Sequence, residues 1–170
     1  LYFNEDGSLS MEPSTLNNSY SSYTSDPANP VSYYPDIEKR RQSDYLIIGQ
    51  EFVEDRDDVL TFTSSVLTED MSLVGALEAE LFVSLSTTDA DFVVKLIDVG
   101  PNGEQEMMVR ANIMRGRYRN APSAPEPFTP GKVERVSFEL PDIAHTFMAG
   151  HRIRCRCRVR GSPSSTATPN

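Results

Sequence analysis

A chain of 170 residues has room for one domain of ordinary size, and 38% hydrophobic against 24% charged residues fits one core with long polar segments. The formal net charge of −9 repels phosphate backbones and disfavours nucleic acid as a partner. No apolar run approaches a membrane span and no secretory apolar region is present, so no membrane partner is expected.

The chain begins at Leu1 rather than Met, so it is expected to be a piece of a longer protein. Residues 1–45 are rich in Ser, Asn, Tyr and Pro and keep no period. Asp6-Gly7, Asp26-Pro27 and Asn29-Pro30 mark turns. Tyr2, Tyr20, Tyr23, Tyr33 and Tyr34 predict an extended segment that packs on something. The competing reading, a flexible linker, follows from low hydrophobicity. A short helix around 36–41 is the only helix the pattern suggests.

From Val59 the signal is β. Residues 59–63 read as a short strand. Residues 77–85 alternate, with Leu77, Ala79, Leu81, Val83 and Leu85 on one face and Glu78, Glu80 and Ser84 on the other, the pattern of a half-buried strand. Residues 92–99 are apolar on both faces and predict a strand covered on both sides. A further strand is read at 107–114. Residues 123–131 hold three prolines and a glycine and must be a loop. Val136, Phe138 and Leu140 alternate again, Pro141-Asp142 reads as a turn into 143–147, and Ala149-Gly150 as another. Strands this close, with no sustained helical period, predict an all-β fold, an antiparallel jelly-roll sandwich over 46–154.

Asp89 and Asp91 form D-x-D beside Thr87 and Thr88. A calcium site would need more oxygen ligands, so a turn with capping carboxylates is preferred. His145 alternates with Ile143 and Phe147 and reads as an inward, structural histidine; His151 reads as a strand-entry residue. Cys155 and Cys157 share one strand face, which is wrong for a disulfide, and His151 alone does not complete a metal site. No metal or cofactor is expected. Arg115, Arg117 and Arg119 read as one strand face, serving either as contacts to acidic groups of another domain or as a solvated surface. Tyr33 and Tyr34 are candidates for the rim of a ligand cleft.

Several motifs then resemble one family together. They are DVLTF at 58–62 following Gln50 and Arg56, LTED at 67–70, and AELFVSLSTTDADFVVKLIDV at 79–99. RGRYRN at 115–120, PEPFTPGKV at 125–133 and LPDIAHTFMAGHRIR at 140–154 complete the set. In order and spacing they resemble the C-terminal domain of the cocaine esterase and X-prolyl dipeptidyl peptidase class of serine hydrolases, nearest the α-amino-acid ester hydrolase and cephalosporin acylase branch. The resemblance implies a jelly roll appended to an α/β-hydrolase domain of the same parent chain, with homo-oligomers possible and a periplasmic or secreted parent. It places the Ser-Asp-His triad in the missing domain, and no G-x-S-x-G elbow occurs here. Gln50, Arg56, Asp58, Arg115 and Arg117 are the candidate interdomain contacts, Tyr33 and Tyr34 the candidate pocket rim. At Gly49-Gln50-Glu51 the sequence departs from the Asp-Gln-Arg of the family, so an interdomain salt bridge is not expected there.

From Arg152 the character changes: arginine occupies 152, 154, 156, 158 and 160, then only Gly, Ser, Pro, Thr, Ala and Asn follow. Like charges on one strand face repel, so 155–170 is expected to be a disordered tail and the sandwich to lack its last strand. A family-like continuation, Val-Gln-Val-Gln-Ser-Ser-Trp-Phe-Pro-Leu-Val-Asp-Arg-Asn-Pro-Gln, can be encoded so that losing its first base yields residues 155–169, and Asn170 if the next base is a pyrimidine. The tail is therefore expected to be a frameshift. The chain is expected to act as an accessory domain that shapes a hydrolase pocket and does no catalysis alone. The alternative is a stand-alone jelly-roll module binding carbohydrate.

Overall fold

Strand alternation and turn chemistry produce a two-layer β sandwich. A computed structural model describes residues 1–16, 19–35, 43–44, 47–103 and 105–160, with the Arg160 side chain excepted. The helix expected at 36–41 lies outside the described residues. Eight strands follow in chain order: β1 (Tyr2–Phe3), β2 (Ser8–Ser10), β3 (Leu60–Ser64), β4 (Met71–Ser84), β5 (Asp91–Val99), β6 (Glu106–Arg115), β7 (Val133–Phe147) and β8 (Arg152–Arg160). One layer runs β1-β2-β3-β8-β5-β6, and the other holds β4 and β7. Pairing is antiparallel except between β2 and β3.

β5 is covered on both faces, as its composition predicts. Phe92, Val94 and Leu96 face the other layer, the first two clustering with Leu81, Val83, Val136 and Phe138 and Leu96 with Ile143 and Phe147. On the opposite face Val93 meets Val31, Val53 and Val59 of the segments laid across the sheet. Of the N-terminal tyrosines Tyr2, Tyr20 and Tyr33 are exposed and Tyr23 alone is buried. Tyr23 joins the core, and Phe3 stacks on Phe62 at 4.4 Å. Asp6-Gly7 turns with Gly7 at φ +78°, a conformation open to glycine, and so links β1 to β2.

Two local expectations are corrected. Pro141-Asp142 makes no turn, because β7 is continuous and passes those residues through a bulge, with Gly75 opposite Ile143 and Leu77 opposite Leu140. A proline is tolerated there because a bulge leaves its missing N–H unneeded. Arg115, Arg117 and Arg119 do not share a strand face, since Gly116–Tyr118 forms a 3-10 turn directly after β6. Gly116 also leaves no room for a side chain. A Cβ there would sit 2.7 Å from the Phe128 ring and 2.8 Å from the Phe92 ring, besides meeting Ala90 O.

The third correction concerns the tail. Residues 155–160 are not outside the fold, for they continue β8, which lies between β3 and β5. Ile153, Cys155, Cys157 and Val159 fill the core side, so the strand keeps the period of two that a buried face requires. Residues 161–170 lie outside the described residues.

Candidate functional site

The repulsion expected among the arginines of β8 is met by a buried carboxylate on the outward face of the large sheet. Glu106 is 2% exposed and accepts from Arg156 Nη1 at 2.5 Å and Nη2 at 2.9 Å. Arg154 also bonds Glu106, and Arg158 Nη1 donates to Val31 O at 2.9 Å. Gln50 is fully buried beside them. Its Nε2 donates to Ile48 O at 3.0 Å, its Oε1 accepts from Lys95 Nζ at 2.6 Å, and its carbonyl accepts from Arg156 Nη1 at 2.5 Å. Burial, then the charges of Arg158 and Arg156, push the Lys95 ammonium down to about 8.

A second polar cluster joins the two layers. Asp98, on β5, accepts from His145 Nε2 and His151 Nδ1, each at 2.8 Å. His145 also meets the Phe147 ring edge-on at 4.7 Å. Both histidines are thus tied to one carboxylate, in keeping with a structural role. The cysteines are free, buried and inward, and burial pushes the Cys155 thiol up to about 12 and Cys157 well above its usual value. A protonated thiol is neither a nucleophile nor a metal ligand. Among the described residues, no group of three or more His, Cys, Asp or Glu is placed to hold a metal ion.

The remaining candidates lie apart. Arg56 clamps Asp58 through Nε at 2.7 Å and Nη2 at 2.9 Å, and Nη2 also reaches Asn29 O at 2.6 Å. That fork pins the N-terminal segment to the approach of β3. Arg117 pairs with Asp89, through Nε at 2.8 Å, and Arg115 lies 3.6 Å from Asp91. The D-x-D carboxylates thus pair with Arg115 and Arg117. Arg119 is buried, stacks 3.9 Å over the Phe128 ring and bonds Glu134. Tyr33 and Tyr34 lie 6.2 Å apart at 48°, and Tyr34 Oη donates to Asp44 Oδ2 at 3.3 Å. The sequence-based candidates do not converge on one site.

A further concavity lies elsewhere, a groove of about 610 Å³ between the layers. β4 borders it from Leu77 to Phe82, Val94, Leu96 and Cys155 line it from the large sheet, and Leu1, Tyr2 and Phe3 form another wall. Sequence reading missed this groove and both buried charge clusters. The available signal was Lys95 and Asp98, charges inside a strand otherwise apolar on both faces, which must find partners.

The family described as the X-Pro dipeptidyl-peptidase C-terminal non-catalytic domain matches residues 2–163. The chain is 35% identical over 148 residues to the cocaine esterase of Rhodococcus sp. (strain MB1 Bresler), over 87% of this chain and 26% of the esterase. The crystal structure of an aminopeptidase from a marine sediment Thaumarchaeota archaeon superposes with a TM-score of 0.88 at 30% identity, over 99% of this chain and 36% of that one. An α-amino acid ester hydrolase superposes with a TM-score of 0.86 at 34% identity, over 99% of this chain and 29% of that one. The chain therefore spans about a quarter to a third of the length of these relatives.

Proposed function

The chain belongs to the family of X-Pro dipeptidyl-peptidase C-terminal non-catalytic domains, and from that premise we propose that it serves a serine hydrolase of ester or amide bonds as an accessory domain, packing on an α/β-hydrolase catalytic domain and shaping its substrate pocket. The observation that carries the reading is coverage: nearly the whole chain matches, yet it accounts for only 26% of an esterase and 29% of an ester hydrolase. Chemistry in such proteins then belongs to the remainder, more than two thirds of their length. The buried thiols and carboxylate-tied histidines fit a domain without a reaction centre of its own.

Within that role the exposed candidates are the ones able to reach another domain. The side chains of Arg115 and Arg117 are 66% and 46% exposed, and each keeps donors to spare beside its aspartate. Tyr33, exposed on the N-terminal segment, is the candidate for the pocket rim. Gln50 acts from inside, by holding Lys95 and Arg156 beneath the covering segment.

The test joins this chain to the catalytic portion of the Rhodococcus cocaine esterase, in place of the region it matches. The chain alone is expected to leave nitrophenyl acetate intact. The fusion is expected to hydrolyse it and to unfold at a higher temperature than the catalytic portion alone. A chain that binds glycans and leaves both the activity and the unfolding temperature of the catalytic portion unchanged would overturn the reading.

A further inference from the structure

Where β5 and β8 lie side by side, the outward face of the large sheet gathers cations faster than carboxylates. β8 sets Arg154, Arg156 and Arg158 beside Ile97, Lys95 and Val93 of β5. Glu106 answers Arg154 and Arg156. Lys95 bonds a neutral acceptor, Gln50 Oε1, at 2.6 Å, and among the described residues it pairs with no carboxylate. An ammonium carries three N–H donors, so two are left over. Lys95, Arg156 and Arg158 line one small cavity of about 10 Å³, walled otherwise by Val31, Val53, Val59 and Val93. Arg156, Val53, Val59 and Val93 are all buried, so little water screens the three charges from one another. The effect shows at Lys95, whose ammonium is depressed by burial and then by Arg158 and Arg156.

We propose that this cavity is a chloride site, with the ion held by the ammonium of Lys95 and the guanidinium groups of Arg156 and Arg158. Charge selects an anion over water: a desolvated cation without a counter-ion is costly, and an anion among three cations removes that cost. Size selects the anion. A cavity of this volume holds about one water-sized sphere, which suits a monatomic ion and excludes phosphate, sulfate and carboxylate groups. The valine walls keep the local dielectric low and so strengthen the attraction. Proton and chloride are linked at Lys95. In the empty site the ammonium loses its proton at about pH 8, whereas a bound anion favours the charged form. Chloride affinity is therefore highest below about pH 8 and falls as pH rises above it.

Urea unfolding of the full chain at pH 7, in sodium chloride or in sodium gluconate at one ionic strength, tests this. Gluconate supplies the same charge on an ion too large for the cavity. The unfolding constant is expected to fall saturably with chloride, by about 100-fold at a hundred times the dissociation constant, and to stay flat with gluconate. Lys95→Met removes one of the three charges and is expected to weaken chloride binding at least about tenfold. A general salt effect would survive in that variant, so the difference between the two chains isolates the site. In the wild type the Lys95 ammonium, followed by NMR, is expected to titrate at a higher pH in chloride than in gluconate. Equal stability in the two salts, with Lys95 titrating alike in both, would overturn the proposal. A chloride dependence unchanged in Lys95→Met would put the ion elsewhere and overturn it as well. Should that variant fail to fold, the wild-type titration decides: a Lys95 signal blind to chloride sinks the site.

Discussion

Replacing Glu106 by glutamine keeps the shape of the buried cluster and removes its charge. In the wild type this one carboxylate, 2% exposed, answers Arg156 through two bonds and Arg154 through another. Without it, Arg156, also 2% exposed, stays buried with only neutral acceptors, Gln50 O at 2.5 Å among them. Removing one partner of a buried pair costs about 3–5 kcal/mol, because the other charge stays desolvated. Arg154 softens the loss, since its side chain is 15% exposed and Glu54 lies 4.0 Å away. A net loss of about 3–4 kcal/mol follows, a large share of the roughly 5–15 kcal/mol that holds a domain together. The assay is urea unfolding at pH 7, followed by tyrosine emission, since the chain holds seven tyrosines and no tryptophan. The double variant Glu106→Gln/Arg156→Met is expected to recover most of the loss, because the stranded cation goes with its partner. Arg115→Gln breaks only an exposed pair and should shift stability by less than about 0.5 kcal/mol. A Glu106→Gln cost under about 1 kcal/mol, or a double variant no better than the single, would refute the reasoning.

Gly116→Ala should destabilise by about 2–3 kcal/mol in the same assay, because the new Cβ meets Ala90 O and two rings that are themselves packed in the core. Lys95 gives a pH signature. Its folded value of about 8 lies below the unfolded value of about 10.4, so the native state releases its proton first and stability contributed by this group rises between about pH 8 and 10. The buried thiols work the other way: raised in the fold, they lose stability above the unfolded thiol value of about 8.5. The measurable quantity is therefore the difference between wild type and Lys95→Met, which should shrink by about 1–2 kcal/mol in favour of wild type across that window. A constant difference would count against a desolvated Lys95.

What the sequence makes legible follows its period. β5 is found within one residue because eight consecutive positions are apolar enough for two buried faces. β4 begins six residues before the start read from the sequence, because outward Val74 and the bulge after Gly75 break the alternation there. Pro141 reads as a stop because its effect is local, whereas its tolerance depends on a bulge set against Gly75 and Leu77 of a strand far back in the chain. The charge clusters hide for a similar reason. Lys95, Glu106, Arg154 and Arg156 each look like surface residues until β5, β6 and β8 are placed side by side.

β8 shows how far alternation alone decides membership of a sheet. Its inward residues are Ile153, two cysteines and Val159, and its outward arginines are spread over different acceptors: Ser64 O for Arg152, Glu106 for Arg154 and Arg156, and Val31 O for Arg158. We propose that this strand arose by loss of one base from a Val-Gln repeat. The shift turns valine into cysteine and glutamine into arginine, so apolar and polar residues still alternate and the strand keeps its place. It also replaces a neutral outward face by a cationic one, leaving Glu106 with two arginines to hold instead of one. Resequencing the gene across codon 155 is expected to show the missing base, and in-frame codons with none lost would overturn the idea. If the base is restored, Arg156 becomes glutamine. Arg156→Gln should then cost little in the urea assay, since Glu106 keeps Arg154 and glutamine can still donate to it.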